Sequence, residues 1–477
     1  MMHAVRGKLK YANVVQCSSY PDGTQCVAPI GESKCSVCSE LNIECTSMRS
    51  RKKRGPKNRY IQSLRARLDR NDTLATPSAP SAPSAPEQAR LDLIAPYAII
   101  HQVMTDWFEW IHPVAPLLHH DLFMQRLSDD NGSTPFFLLV LSICAATVAS
   151  VRRRRHLYGS MSVEACLELA ERFGIWSLTN KITLERALAL YNLSIAVSHE
   201  HGLGSPLTYR LCAESSISVK YLIHESFEQM SFMDQQTLKR LYWLIYANQC
   251  TCDMHGRQLL ILRHAHEAFG HLLPLEITDE QLLSGADAGS MESAGPSVSY
   301  IPGLNALSRL FMIWHSSQAI TTQSMDNLYD QIMQAQRLLE DLPSELTWQP
   351  PHLGQFAFNV QKVNLKVTQL HIRSNLLEQM NALAQDQHMR VTPDAIFNER
   401  HRVVKELLDV LYNMPEEVFD ANGYSIVPKI RDIGGALLDE LRTGSQGPSL
   451  QASINLDKLL AKLDSLDQRI TVQAAIA

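Results

Sequence analysis

The chain predicts a mainly all-α fold built from a small metal-dependent N-terminal module, a flexible linker and one large helical domain. Three observations carry that prediction. Beyond residue 91, apolar residues recur at three- and four-residue spacing with few strand-like alternations. Five of the ten cysteines fall within residues 17–45, in a segment with almost no core of its own, which at that size needs a metal to fold. Between the two, residues 71–90 read NDTLATPSAPSAPSAPEQAR, with three Ser-Ala-Pro repeats and no large apolar side chain after Leu74. Such a stretch buries too little to fold and acts as a semi-stiff spacer.

Taken in order, the first element is the cysteine cluster. Cys35 and Cys38 have the C-x2-C spacing that lets two thiolates point at one ion from a turn entering a short helix, and Cys45 closes the set from behind. Zinc bound by thiolates is tetrahedral, so a fourth ligand is needed. Cys26 and Cys17 are the candidates, with His3 a distant third. One zinc held by four thiolates is chemically possible with the residues present.

The second element is a run of ten Lys or Arg between Arg49 and Arg70 against a single Asp. The whole chain carries −5, so this segment of +9 leaves −14 for the rest, and only one segment invites a polyanion. Gly55-Pro56 keep the run extended, able to follow a phosphate backbone. Arg51, Lys52, Lys53, Arg54, Lys57 and Arg59 are the phosphate-binding candidates, contacts that position a protein without reading sequence. The same cluster can act as a nuclear import signal, and a solvated basic face is the bland alternative. Ile61, Leu64 and Leu68 begin a coiled-coil pattern that stops within two heptads, so dimerisation through it alone is weak.

Read together, KCSVCSELNIEC and the following TSMRSRKKRGPKNRYIQSLRARL resemble the second half and linker of the fungal binuclear zinc cluster (Zn2Cys6) transcription factors. The resemblance implies Zn(2+) as cofactor, a nuclear location, regulation of RNA polymerase II transcription, and DNA as partner, at CGG-type half-sites if the cluster is complete. In that family six cysteines in two C-x2-C-x6-C halves share two zincs. Here there are five, and Asp22-Gly23, which match the Asp-Gly following the family's third cysteine, are preceded by Pro21. The match is good from Asp22 onward and absent before it. Residues 1–21 are therefore expected to come from a misassigned exon boundary or altered start, with 22–70 as the partial cluster and basic linker. Genuine loss of DNA reading competes with that explanation. The family's base-reading Lys or Arg lies in the missing half, so no base-contacting residue can be named.

The last element, residues 91–477, is expected to be the all-α regulatory domain. Helical spacing runs through Tyr97, Ile100, Met104, Trp107, Phe108 and Ile111, and again through Leu238, Leu241, Leu244 and Ile245. Breaks are expected at His201–Pro206, in a long surface loop over 284–303, in the Pro-rich DLPSELTWQPPHLG from Asp341, and in TGSQGPS from Thr443. Within YAIIHQVMTDWFEWIHPVAPLLHHDLF, the residues His112-Pro113, Pro116, His119 and Phe123 resemble the opening of the fungal regulators' middle homology domain. RLYWLIYANQCTCDMHGRQLLIL resembles that domain's aromatic-rich helix running into an Arg-containing turn, with Arg257 in the Arg position. The resemblance implies a domain that binds a small effector or holds a surface for the transcription machinery, with a homodimer as a further possibility.

Several tempting features have plainer readings. His112, His119 and His120, and the set Cys250, Cys252, His255, His264 and His266, lack HExxH spacing and an obvious carboxylate partner, so core or surface histidines are the default. Cys250 and Cys252 sit about 200° apart around a helix, which makes them poor co-ligands. PFFLLVLSICAATVASV, residues 135–151, is shorter than the roughly 20 residues a membrane span wants and reads as a buried core helix. The opening residues have no apolar stretch fit for a secretory leader, so the thiols are expected to be intracellular and reduced. No G-x-S-x-G, P-loop or Rossmann fingerprint appears, and the chain is not expected to be an enzyme. The rival readings are a regulatory paralogue that has lost sequence-specific DNA binding and acts through protein contacts, and a helical enzyme or scaffold with an incidental basic tail.

Overall fold

In a computed structural model the chain divides into two compact units, Met1–Pro86 and Glu87–Ala477. The structure describes residues 90–129, 133–177, 181–257, 261–262, 272–284, 299–319, 324–349, 354–386, 393–443 and 450–476, together with two short strands in the first unit. Those strands, β1 (Val15–Gln16) and β2 (Gln25–Cys26), pair antiparallel, with Val15 opposite Cys26. The sequence predictions for the rest of the N-terminal module, the basic run and the Ser-Ala-Pro linker lie outside the described residues.

All the regular secondary structure among the second unit's described residues is helical. Its first half contains α1 (Tyr97–Asp106), a π-helical continuation over Trp107–Ile111, α2 (His120–Asp129), α3 (Thr134–Ser150), a 3-10 turn over Arg152–Leu157, α4 (Val163–Arg172), α5 (Leu184–His201), α6 (Pro206–Glu225) and α7 (Phe232–Met254). The second half contains α8 (Asp279–Ser284), α9 (Ile301–Ala319), α10 (Met325–Arg337), α11 (Phe356–Asp386), α12 (Pro393–Asn413), α13 (Glu416–Asn422), α14 (Ile426–Thr443) and α15 (Leu450–Ile476). In the first half α3 lies along α5, α5 along α6, and α6 against α7. The second half is built around α11, which packs on α9, α10, α12, α13 and α14. α7 meets α9, so the two halves share one continuous apolar core.

Local chemistry explains where the helices start. Ser162, Thr183, Ser231 and Ser324 each accept the backbone N–H three residues on, at 3.1, 3.2, 3.1 and 3.2 Å, filling one of the orphan donors at the starts of α4, α5, α7 and α10. Pro135 and Pro206 sit in the first turns of α3 and α6, where no N–H is needed. The break between α5 and α6 turns through Gly202 at φ +81°, a conformation that a side chain resists.

The apolar residues 135–151 form α3, whose side chains from Phe136 to Ala149 are all buried in the protein. Its polar side chains are satisfied within the helix: Ser142 donates to Leu139 O at 2.7 Å and Thr147 to Ile143 O at 2.8 Å. No single helix among the described residues is long and apolar enough to cross a membrane.

The structure departs from the sequence expectation at three places. The π turn after α1, closed by His112 N donating to Trp107 O at 2.9 Å, rotates the buried face. Trp107 and Trp110 are buried there, while Tyr97 is exposed and Phe108 and Ile111 are only half-buried. α7 is buried all round from Gln236 to Ala247 except at the half-buried Lys239, not on one stripe, because α6 and α9 both cover it. Finally, Gly303 lies inside α9 instead of in a loop. A Cβ there would fall 2.5–2.8 Å from the Gln361 amide, so the glycine permits α9 and α11 to approach closely.

Candidate functional site

Among the cysteines expected to bind metal, Cys17, Cys35, Cys38 and Cys45 lie outside the described residues, as do Arg51, Lys52, Lys53, Arg54, Lys57 and Arg59. Of Cys26 only the backbone is described, in β2. The geometry of candidate sites therefore comes from the helical unit.

The two segments that stand out there in the sequence meet in space. Arg240, only 2% exposed, reaches from α7 to donate to Pro116 O at 3.2 Å, with Asp279 Oδ1 3.7 Å away on the other side. Trp243 donates to Leu272 O at 2.9 Å, and Gln249 Oε1 accepts the backbone N–H groups of Ile261 and Leu262, each at 3.0 Å. α7 thus serves as a spine whose buried polar side chains tie down the irregular segments beside it.

His112, His119 and His120 do not converge. His112 is buried against Trp107 and Tyr300 and donates Nε2–H to Leu118 O at 2.9 Å. Burial draws its pKa down to about 3, so it stays neutral and holds the His-Pro turn in place. His119 accepts a long bond from Leu122 N, and His120 turns to Asp121.

The second set separates as well, and one member finds new partners. Cys250 and Cys252 are both buried, and burial raises both thiols, Cys252 to about 12. His264 and His266 lie outside the described residues. His255 caps α7: Gly256 at φ +71° donates to Asp253 O and Arg257 N to Cys252 O, both at 2.8 Å, the paired bonds of a Schellman turn. That turn aims His255 at α11 and α14. Its Nδ1 lies 2.9 Å from Asp432 Oδ2, and His371 Nε2 lies 3.0 Å from the same oxygen. The two imidazoles stack, with ring centres 5.3 Å apart. The carboxylate partner that the sequence did not offer is supplied by a residue 177 positions away.

A charged cluster joins α11 to α12. Arg373, 1% exposed, donates Nη2 to Glu399 at 2.7 Å and Nη1 to Glu406 at 2.9 Å, while Lys366 reaches Glu406 at 2.8 Å. Burial pushes the Glu406 carboxyl up, but the hydrogen bond and charge of Arg373, with Lys366, outweigh it and hold it below the usual carboxylate range. Arg373, Lys366 and Glu406 line a pocket of about 380 Å³ together with Trp348 and Gln336. A cavity of this size with an indole face and several fixed donors suits a small polar ligand.

The chain is similar to fungal maltose regulators. It is 23% identical over 228 residues to the maltose fermentation regulatory protein MAL33 of Saccharomyces cerevisiae, and 22% identical over 229 residues to MAL13 of the same yeast. Each match covers 45% of this chain, and the chain spans a little under half the length of these relatives, 46% and 45%. Both are regulatory proteins by name, in agreement with the expectation that the chain is not an enzyme. No protein-family model matches the chain, and no solved structure matches it significantly.

Sequence reasoning missed His371, Asp432 and Arg373. Each lies on a helix far along the chain from its partners, and nothing in local spacing marks them. Glu399 and Glu406 carried a faint signal, since two acids seven apart share one helix face.

Proposed function

We propose that this chain is a nuclear fungal transcription regulator whose zinc-stabilised N-terminal module contacts DNA and whose helical unit carries regulation. The observation that supports this best is the similarity to two yeast regulatory proteins in a chain that also joins C-x2-C-x6-C to a dense basic run. Donor chemistry suits zinc at the cysteines: four thiolates complete one tetrahedral site, while five cannot fill the six-cysteine, two-zinc arrangement. Zinc there would supply folding energy to a segment too small to hold itself together. The basic run would then lie along phosphates.

One observation favours a variant of this reading. Pro21 stands where a third cysteine would complete the first half-cluster, so the module as written binds DNA through charge with little preference for base sequence. In the helical unit, the pocket beside Trp348 is the site for a small effector, and the relatives' names make maltose the first sugar to test there.

Fluorescence anisotropy on the full chain separates the readings, using a CGG-containing duplex, a scrambled duplex and a salt series. A preference for the CGG duplex that zinc chelation abolishes supports sequence-reading DNA binding. Equal, steeply salt-dependent binding to both selects the charge-only paralogue. Absence of binding to either at low salt would overturn the DNA reading.

A further inference from the structure

The Schellman turn of α7 delivers His255 to a point where α11 presents His371 and α14 presents Asp432, and the three ligand-capable atoms all lie within 4.8 Å of one another. We propose that His255, His371 and Asp432 form a binding site for a divalent transition-metal ion of the zinc class, one that clamps the C-terminal end of α7 to α11 and α14. The inference is independent of the cysteine module and of DNA binding.

Geometry is the first support. An ion about 2.1 Å from nitrogen and carboxylate oxygen ligands sets neighbouring ligands about 3.0 Å apart at right angles and about 3.4 Å apart in a tetrahedron. The observed separations from Asp432 Oδ2 are 2.9 Å to His255 and 3.0 Å to His371. Those two separations already suit an ion, and the third, between the two ring nitrogens, is at most 4.8 Å, so seating an ion asks the imidazoles to close by no more than about 1.4 Å. Two imidazoles and one carboxylate form a mixed nitrogen and oxygen donor set suited to zinc, cobalt or ferrous iron, and poorly suited to calcium or magnesium.

The placement of the groups is the second support. His371 is fully buried, and its ring and that of His255 both turn a nitrogen to the one carboxylate oxygen of Asp432. The far ring nitrogens, Nε2 of His255 and Nδ1 of His371, are buried and have no hydrogen-bond partner among the described residues. The bonds to Asp432 alone set the tautomer of each ring. To coordinate, a ring that donates toward Asp432 shifts that proton to its far nitrogen and offers the near one to the ion.

Access and opposition are also visible. The Asp432 side chain is 42% exposed, which provides an entry path and leaves remaining coordination positions to water. Lys429, one turn earlier on α14, is a buried cation that donates to Thr368 at 2.8 Å and opposes a second positive charge. Its pKa is already drawn down to about 8 by burial, so an ion can displace its proton at modest cost.

The full chain, stripped by a chelator and titrated with Co(2+), tests the proposal against Asp432→Asn and His255→Gln. All three proteins keep every N-terminal cysteine, so differences between them report the helical site alone. The expected result is one more Co(2+) per chain in the wild type than in either variant, with no thiolate-to-cobalt charge transfer in the difference spectrum. Cobalt at a hundredfold excess over its dissociation constant should also raise the wild-type melting temperature by about 3 °C more than that of the variants. Both substitutions fall on partly exposed side chains, and a native circular dichroism spectrum in either one is enough for the comparison. Equal cobalt counts and equal melting shifts in the wild type and a folded variant would overturn the proposal.

Discussion

Replacing Arg373 with methionine keeps most of the side-chain volume and deletes the charge that joins α11 to α12. The loss comprises charge-assisted hydrogen bonds to Glu399 and Glu406 from a guanidinium that is 1% exposed. Removing one partner of a buried ion pair costs about 3–5 kcal/mol, chiefly because the remaining charge is stranded. Here neither glutamate is fully stranded, since Lys366 still reaches Glu406 and Arg402 still reaches Glu399. The lower end, about 3 kcal/mol, is therefore expected. Unfolding entropy of about 2.1 cal/mol/K per residue over the roughly 390 residues of the helical unit converts this to a fall of about 4 °C in melting temperature. The acid dependence has a definite sign. Glu406 has a depressed carboxyl pKa in the folded protein, so its pairing stabilises above the unfolded value near 4.3 and is lost as pH falls through the folded value. The gap between wild type and Arg373→Met should thus be full at pH 7 and shrink below about pH 4. Differential scanning calorimetry at both pH values reads it, with Arg402→Met as the control. Arg402 touches the same glutamates but is 52% exposed, and should cost under about 1 kcal/mol. An Arg373→Met melting point within 1 °C of the wild type at pH 7, or a gap that widens in acid, would refute the clamp.

Three further outcomes follow from the structure and the sequence. Gly303→Ala should destabilise by about 1–3 kcal/mol, because the new methyl displaces the Gln361 amide and breaks its 2.9 Å bond to Tyr300 O; thermal melts of Gly303→Ala with and without Gln361→Ala should be non-additive, and additivity would argue against the contact. Converting Arg51, Lys52, Lys53, Arg54, Lys57 and Arg59 to glutamine should flatten the plot of log affinity against log salt by about five units, read by anisotropy on duplex DNA; an unchanged slope would place the phosphate contacts elsewhere. Paired Cys35→Ser and Cys38→Ser substitutions should remove one zinc per chain by atomic emission, and an undiminished zinc count would exclude these cysteines as ligands.

Much of the fold was legible because helix formation is a local matter. A 3.6-residue period, a Ser or Thr placed before an apolar run, and a proline in a first turn are read within one short window. They locate α3, α5, α6 and α7 with little help from the rest of the chain. Local reading failed where tertiary packing overrode period. The π turn moved Trp110 inward in place of Ile111, and α7 proved buried all round except at Lys239 because two other helices cover it.

The candidate sites divide along the same line. The cysteine spacing and the run of cations between Arg49 and Arg70 are properties of consecutive residues, so the sequence by itself determined that this chain carries a C-x2-C-x6-C spacing joined to a polycation, ahead of a helical unit. The Arg240 bridge to Pro116, the Arg373 clamp and the meeting of His255, His371 and Asp432 each join residues dozens to more than a hundred positions apart. Helical period says which face of a helix is apolar, but not which other helix will cover it. That choice depends on how close approaches such as the one at Gly303, and the caps and turns between elements, let the helices share one core, and only the tertiary structure decided it.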